Sequence, residues 1–258
     1  VFFTPPEAVA AFRDAGVDYV TLGNNHTNDY LAEGLSATLE ALAAAGMPHS
    51  GAGLNESDAL RAHRTAVGGN VYSFLGYVGW AGNFTPNQVA DGPGKSGAAL
   101  GNARVFAEDL AGVPDETVAV LQLHRGIEYA ELPARSERTS LREAVDFGAD
   151  LAIGHHAHVL QGFEIYNERL IAYSLGNFLF DQSGPDRTQG AMLEILAGRD
   201  GVVAYRVGMT EHADRRVEFV EWLTPERDAV WLNGSWWNLV GNVALEPTAP
   251  VDVSGFRY

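Results

Sequence analysis

The apolar run Leu151-Ala152-Ile153 leads directly into Gly154-His155-His156-Ala157-His158. A buried strand that ends in three imidazoles leaves a chain few ways to arrange itself. Crowded imidazoles repel when protonated and compete for the same hydrogen-bond partners. A divalent metal removes that conflict, because neutral imidazole is the commonest protein ligand for Zn, Mn, Fe and Ni. The two-residue spacing of His156 and His158 predicts two rings on one side of an extended segment. Surface histidines on a loop are the alternative reading of this stretch taken alone.

Two further segments have the same character. Val17 to Leu22 reads as a β-rich run that stops at the polar loop Gly23-Asn24-Asn25-His26, and Thr117 to Leu123 as a buried strand that stops at His124. The carbonyl oxygen of Asn25 can coordinate a metal without adding charge, and His26 can instead protonate a leaving oxygen, since an imidazole titrates near neutrality. One strand-end histidine is ordinarily structural. Three strand ends bearing Asn-His, His and His-x-His favour a metal site.

Between these ends the chain alternates helical and strand-like segments. Helices are expected from Pro5-Pro6-Glu7 to Gly16, around Leu35, Leu39 and Leu42 up to Gly46, in a shorter stretch through Ala59 that follows the Gly-rich loop Gly51-Ala52-Gly53, over Ala103 to Ala111, and over Arg135 to Phe147. Strands are expected at Val71 to Val78 and Asp150 to Ile153. Five more follow at Phe163 to Tyr166, Leu170 to Tyr173, Ala191 to Leu196, Val202 to Met209 and Val217 to Leu223, with a hairpin at Gly198-Arg199-Asp200-Gly201. Gly79 to Gly101 reads as a long loop of the kind that covers active sites. His49, His63 and His212 read as ordinary surface or loop histidines. The expected class is α/β, with polar residues gathered where strands end.

Composition excludes some functions. The 258 residues and a hydrophobic fraction of 46% suit a globular domain with a full core. A net charge of −16 argues against nucleic acid or an anionic membrane surface as a partner. With no cysteine, disulfides, thiolate zinc sites and cysteine nucleophiles are excluded. No apolar run approaches the ~18 residues of a membrane span, and no leader is recognisable in this chain.

Four motifs then carry a resemblance: Leu22-Gly23-Asn24-Asn25-His26-Thr27-Asn28-Asp29-Tyr30, His124-Arg125-Gly126-Ile127-Glu128-Tyr129, Ile153 to Gly162, and Tyr173-Ser174-Leu175-Gly176-Asn177-Phe178-Leu179-Phe180-Asp181. In that order they resemble the CapA-type poly-γ-glutamate capsule-synthesis family, which is similar to the calcineurin-like metallophosphoesterases. The resemblance runs from about Pro5 to about Asp181. It implies a four-layer α/β/β/α sandwich holding two divalent metal ions (Mn, Fe, Zn or Mg). It also implies Asn25, His124, His156 and His158 as ligands, and His26 as the catalytic histidine. His155, Arg125, Glu128, Asn177 and Asp29 would stand behind the ligands or face substrate. Arg125 replaces the family's usual aromatic and is expected to be exposed rather than to bind an anion.

The family's first strand and its acidic ligands would lie before Val1, so the domain over 1–223 is expected to be incomplete at its N-terminal side. A tail over 224–258, with Trp231, Trp236 and Trp237, is expected to pack on it as a cap. The implied function is a metal-dependent hydrolase of a phosphoester or related bond, linked to capsule biosynthesis. The alternative is a non-catalytic accessory of polymer synthesis or export. An anionic small-molecule or polymer substrate, capsule-synthesis membrane proteins as partners and an extracytoplasmic or cell-surface location follow from the same resemblance.

Overall fold

The structure, a computed structural model, describes residues 2–79, 88–184, 187–198, 201–214 and 216–222. In chain order these form α1 (Glu7–Asp14), β1 (Val20–Thr21), α2 (Leu31–Ala44), β2 (His49–Ser50), β3 (Ala52–Gly53), α3 (Glu56–Ala59), β4 (His63–Val67) and β5 (Asn70–Gly79). There follow β6 (Gly97–Ala98), β7 (Leu100–Gly101), α4 (Ala103–Ala111), β8 (Thr117–His124), α5 (Arg135–Asp146) and β9 (Leu151–His155). The last strands are β10 (Phe163–Tyr166), β11 (Arg169–Ala172), β12 (Gln189–Gly198), β13 (Gly201–Ala213) and β14 (Arg216–Trp222). The expected tail over 224–258 and residues 80–87 of the loop expected after Gly79 lie outside the described residues.

A seven-stranded sheet in the order β10-β11-β9-β8-β5-β4, with β7 also on β5, carries the fold. β5, β8 and β9 run parallel, and this explains why Val118-Ala119-Val120-Leu121 is apolar without alternation: both faces of the strand are covered. Ala119, Leu121 and Leu123 pack against Phe106 and Leu110 of α4 and Leu141 and Ala144 of α5. Val118, Val120, Leu151 and Ile153 face Ala191, Ala197, Val207 and Met209 of a second sheet, β12-β13-β14. Each such fully buried aliphatic side chain contributes about 1.5–3 kcal/mol.

The α/β expectation is met, with helices, large sheet and small sheet as successive layers. The described residues contain no helix after α5 to cover the far side of the small sheet, where Phe219 and Val220 are exposed.

The helices start where their caps allow. Asn102 accepts hydrogen bonds from the N–H groups of Arg104 and Val105 at the start of α4, and Asn55 accepts from Asp58 at α3. Gly154 sits against β11 so closely that a Cβ would overlap the carbonyl oxygen of Tyr173. Five strands were not legible in the sequence: β2 and β3 are two residues each, beside and within the Gly-rich loop at Gly51. β4 is a half-polar edge strand, and β6 and β7 are two residues each within the expected loop.

Candidate metal and acid–base site

The parallel register sets Val78, His124 and His155 side by side, so β5, β8 and β9 end at one level. The segment after β1 reaches the same level. Gly23 lies against the backbone of Tyr77, where any Cβ would collide, and this close approach lays the Asn24–Asn25 turn over the ends of the parallel strands. His26 N–H closes that turn on Asn24 Oδ1 at 2.8 Å.

These ends bring three donors together. His124 Nε2 is 2.8 Å from Asn25 Oδ1 and 3.1 Å from His156 Nδ1. Donors about 3 Å apart have the spacing of neighbouring ligands held about 2.1 Å from one ion. Burial, reinforced by His156 and the other nearby histidines, holds the His124 pKa well below the usual imidazole value. Burial also lowers His156, against the opposing effect of Glu128. Both rings are therefore neutral near pH 7, as ligation requires. The chemistry of this set, imidazole nitrogen with an amide oxygen, fits one divalent cation. Among the described residues no three of His, Asp and Glu form a ready set of ligands.

His156 and His158 are not placed by strand alternation. β9 ends at His155, and His156 and His158 have φ of +96° and +60°. This left-handed turn leaves their rings 6.2 Å apart. Tyr129, also at positive φ, donates its N–H to Ala157 O at 2.7 Å and pins the turn. Strained backbone held by its surroundings is typical of functional loops. His158 Nδ1 is 2.8 Å from Asn177 Oδ1, and the Asn177 amide nitrogen donates to Arg187 O. That arrangement leaves the other nitrogen of His158 directed away from Asn177.

His26 stands at the rim with Nδ1 2.9 Å from Asp29 Oδ2. Asp29 also accepts from Gln88 Nε2 and from Phe2 N–H. Burial alone would raise its carboxyl pKa, but these hydrogen bonds and the charge of His26 outweigh burial and lower it. Phe2 packs edge-on to His26 at 4.5 Å, and Phe180 lies 5.0 Å from His158. Arg187 stacks over Tyr129 at 3.9 Å, adding a cation to the rim.

The remaining expected residues divide. Glu128 is exposed and acts on His156 only through its charge. Arg125 is half-buried rather than exposed: its stem covers Gly79 and its Nε is buried without a partner. His155 faces the space between the two sheets, and its buried Nε2 meets no partner. His212, expected on the surface, is buried in β13 with Nε2 3.0 Å from Arg187 O. Gln88, Phe2 and Arg187 were missed, because nothing in their local sequence marks contacts made from distant segments.

The family profile described as "Bacterial capsule synthesis protein PGA_cap" matches residues 1–182. The capsule biosynthesis protein CapA of Bacillus anthracis is 34% identical over 77% of this chain and 48% of its own length. The PGA biosynthesis protein CapA of Bacillus subtilis is 30% identical over 79% of this chain and 53% of its own. A probable polyglutamine synthesis accessory protein of Mycobacterium tuberculosis is 28% identical over 69% and 49%. The chain thus spans about half the length of the curated relatives it matches. Among solved structures, the sulfate thiohydrolase SoxB of Thermus thermophilus aligns at a TM-score of 0.49 and 14% identity, over 84% of this chain and 35% of that one.

Proposed function

This chain belongs to the bacterial capsule synthesis protein PGA_cap family, and from that premise we propose that it is the site-bearing part of a metal-dependent hydrolase acting on a phosphoester or related bond. The observation that supports this reading is the convergence of Asn25 Oδ1, His124 Nε2 and His156 Nδ1 beside an independently oriented His26–Asp29 pair. Asn25, His124 and His156 would hold a divalent cation, with His158 next to them. When bound, such an ion supplies Lewis-acid polarisation of the substrate and a nucleophile at neutral pH.

The acid–base work belongs to the chain itself. Asp29 accepts the Nδ1 proton of His26, which fixes the tautomer and aims Nε2 at the rim. From there a protonated His26 gives its proton to the departing oxygen and afterwards takes one back. Arg187, stacked on Tyr129, offers charge to an anionic substrate despite the net charge of −16.

A second reading has its own support. Asn25, His124 and His156 are all neutral donors, so a bound dication would remain uncompensated by them. This favours a binding role as an accessory in capsule polymer synthesis. Bound metal measured by mass spectrometry, together with hydrolysis of a bis-aryl phosphodiester in Mn²⁺, separates the two. Metal and turnover that both disappear in His156→Ala support the hydrolase. Metal without turnover, in this chain and in longer forms, supports the accessory.

A further inference from the structure

Gly176 has a φ of +67°, and a Cβ there would overlap the carbonyl oxygen of Gln189 at the start of β12. A Cβ at Gly190 would in turn overlap the carbonyl oxygen of Asn177. The two glycines therefore let the turn that carries Asn177 lie flush on β12, joined by a bridge between Gly176 and Gly190. β13 holds the residues just before β12 as well. His212 N–H donates to Thr188 O at 2.8 Å, and His212 Nε2 stands 3.0 Å from Arg187 O.

The Arg187 carbonyl is shared. Asn177 Nδ2 also donates to it, at 2.9 Å, so both of its lone pairs are used. A backbone carbonyl only accepts, and this fixes the protons of three side chains in turn. His212 carries a proton on Nε2. Asn177 turns its NH2 toward Arg187 O, where Gln182 Oε1 is a further acceptor at 3.3 Å, and its Oδ1 toward His158. With that acceptor 2.8 Å away, the neutral ring of His158 holds its proton on Nδ1, and its lone pair lies on Nε2.

We infer that His212 is a positioning residue for the candidate metal centre. Through the Arg187 carbonyl and the Asn177 amide it sets which nitrogen of His158 is free to bind a cation. Such outer partners fix the tautomer and orientation of metal-binding histidines. The relay crosses from β13 in the second sheet to the turn that follows β9 in the first. Arg187 grips that turn a second way, because its guanidinium stacks on Tyr129, whose N–H holds Ala157 O between the two histidines. His212 and Asn177 are both buried, so a leucine at 212 leaves the carbonyl short of a donor where water has little access. The bearing on metal binding rests on the site proposed above, whereas the proton positions rest on geometry alone.

Nitrogen-15 NMR of the imidazoles in the metal-free 258-residue chain at about pH 8, where ordinary imidazoles are neutral, tests the relay. His158 is expected as the Nδ1–H tautomer in at least about fivefold excess, and His212 as Nε2–H. His212→Leu should bring the two His158 tautomers within about twofold of each other. His212→Gln, whose amide nitrogen reaches the place of Nε2, should restore the excess. Asn177→Ala should abolish it, and adding His212→Leu to that variant should change nothing further. A merely structural clamp would lower urea stability in His212→Leu and leave the His158 tautomer unmoved, and that result would overturn the inference. If His212→Leu does not fold, the unsubstituted chain and His212→Gln decide. Nδ1–H at His158 in both, with Nε2–H at His212, supports the relay, and the other tautomer at either histidine overturns it. Zn²⁺ affinity should fall several-fold in His212→Leu and recover in His212→Gln; unchanged affinity beside a shifted tautomer would overturn the positioning role. Zn²⁺ binding in no form would instead overturn the metal reading of the site, with the tautomers still reporting on the relay.

Discussion

His124 Nε2 and Asn25 Oδ1 stand 2.8 Å apart although 99 residues separate them in the chain. The pair joins the end of a buried parallel strand to a turn laid over the neighbouring strand ends. His156 Nδ1 approaches the same imidazole nitrogen from the third direction. Two nitrogen lone pairs and an amide oxygen meeting without a carboxylate form an arrangement that a cation relieves.

Metal affinity should therefore depend unequally on these residues. His124→Ala and His156→Ala should each weaken Zn²⁺ or Mn²⁺ binding by at least about 10-fold, and Asn177→Ala, which releases His158, by less. Titration calorimetry at pH 7 checks the order. Equal affinity for His124→Ala and the unsubstituted chain would remove the assignment.

In the hydrolase reading, His26→Gln should lower kcat by about 10²–10⁴-fold with alkyl leaving groups. With a p-nitrophenyl leaving group, which departs without protonation, the loss should be much smaller. Asp29→Asn should follow the same pattern more weakly. A loss independent of the leaving group would assign His26 to binding instead.

Two buried groups make stability depend on pH in opposite senses. Burial lowers His155 to about 4, so between that value and the unfolded 6.5 the unfolded chain binds more protons and folding weakens as pH falls. The loss by pH 4 is on the order of 2–3 kcal/mol. His155→Leu, which also removes the partnerless Nε2, should flatten that limb in urea denaturation between pH 7 and 4.

Glu137 behaves the other way. It is fully buried under Gly126, and burial raises its carboxyl to about 8 against its hydrogen bond from Ala134 N–H and the charge of Arg125. The folded state keeps a proton that the unfolded state releases above about 4.5, so this contribution is complete below that pH and fades as pH rises toward 8. Glu137→Gln keeps an acceptor for Ala134 and never ionises. It should exceed the parent in stability at pH 8 by on the order of 1–3 kcal/mol and match it at pH 4.

Gly154→Ala should cost about 1–3 kcal/mol in the urea midpoint at neutral pH, because its Cβ would overlap the carbonyl of Tyr173 and push β9 from β11. Gly148→Ala, where a Cβ meets nothing but φ is +113°, tests backbone strain alone.

Much of this was legible from local pattern. The unbroken apolar runs of β8 and β9 announced strands covered on both faces, and helix boundaries followed from spacing, Pro and Gly to within a few residues. The same runs, each ending in histidine, located the strand ends where the cluster lies. What the sequence determined is therefore which residues are buried in which element, since hydrophobic periodicity is a property of neighbours along the chain.

The tertiary structure alone decided how those ends meet. The positive φ angles at His156 and His158 replaced the extended pair that their spacing predicted. The identical parity of Ile153 and His155 along β9 turned His155 into the space between the sheets. Asp29 on His26, Asn177 on His158 and Gln88 on Asp29 are side-chain contacts fixed by the register of strands and the close approach of Gly23 to Tyr77. Distances across 19 to 99 residues depend on how layers pack, and no local preference of a residue encodes them.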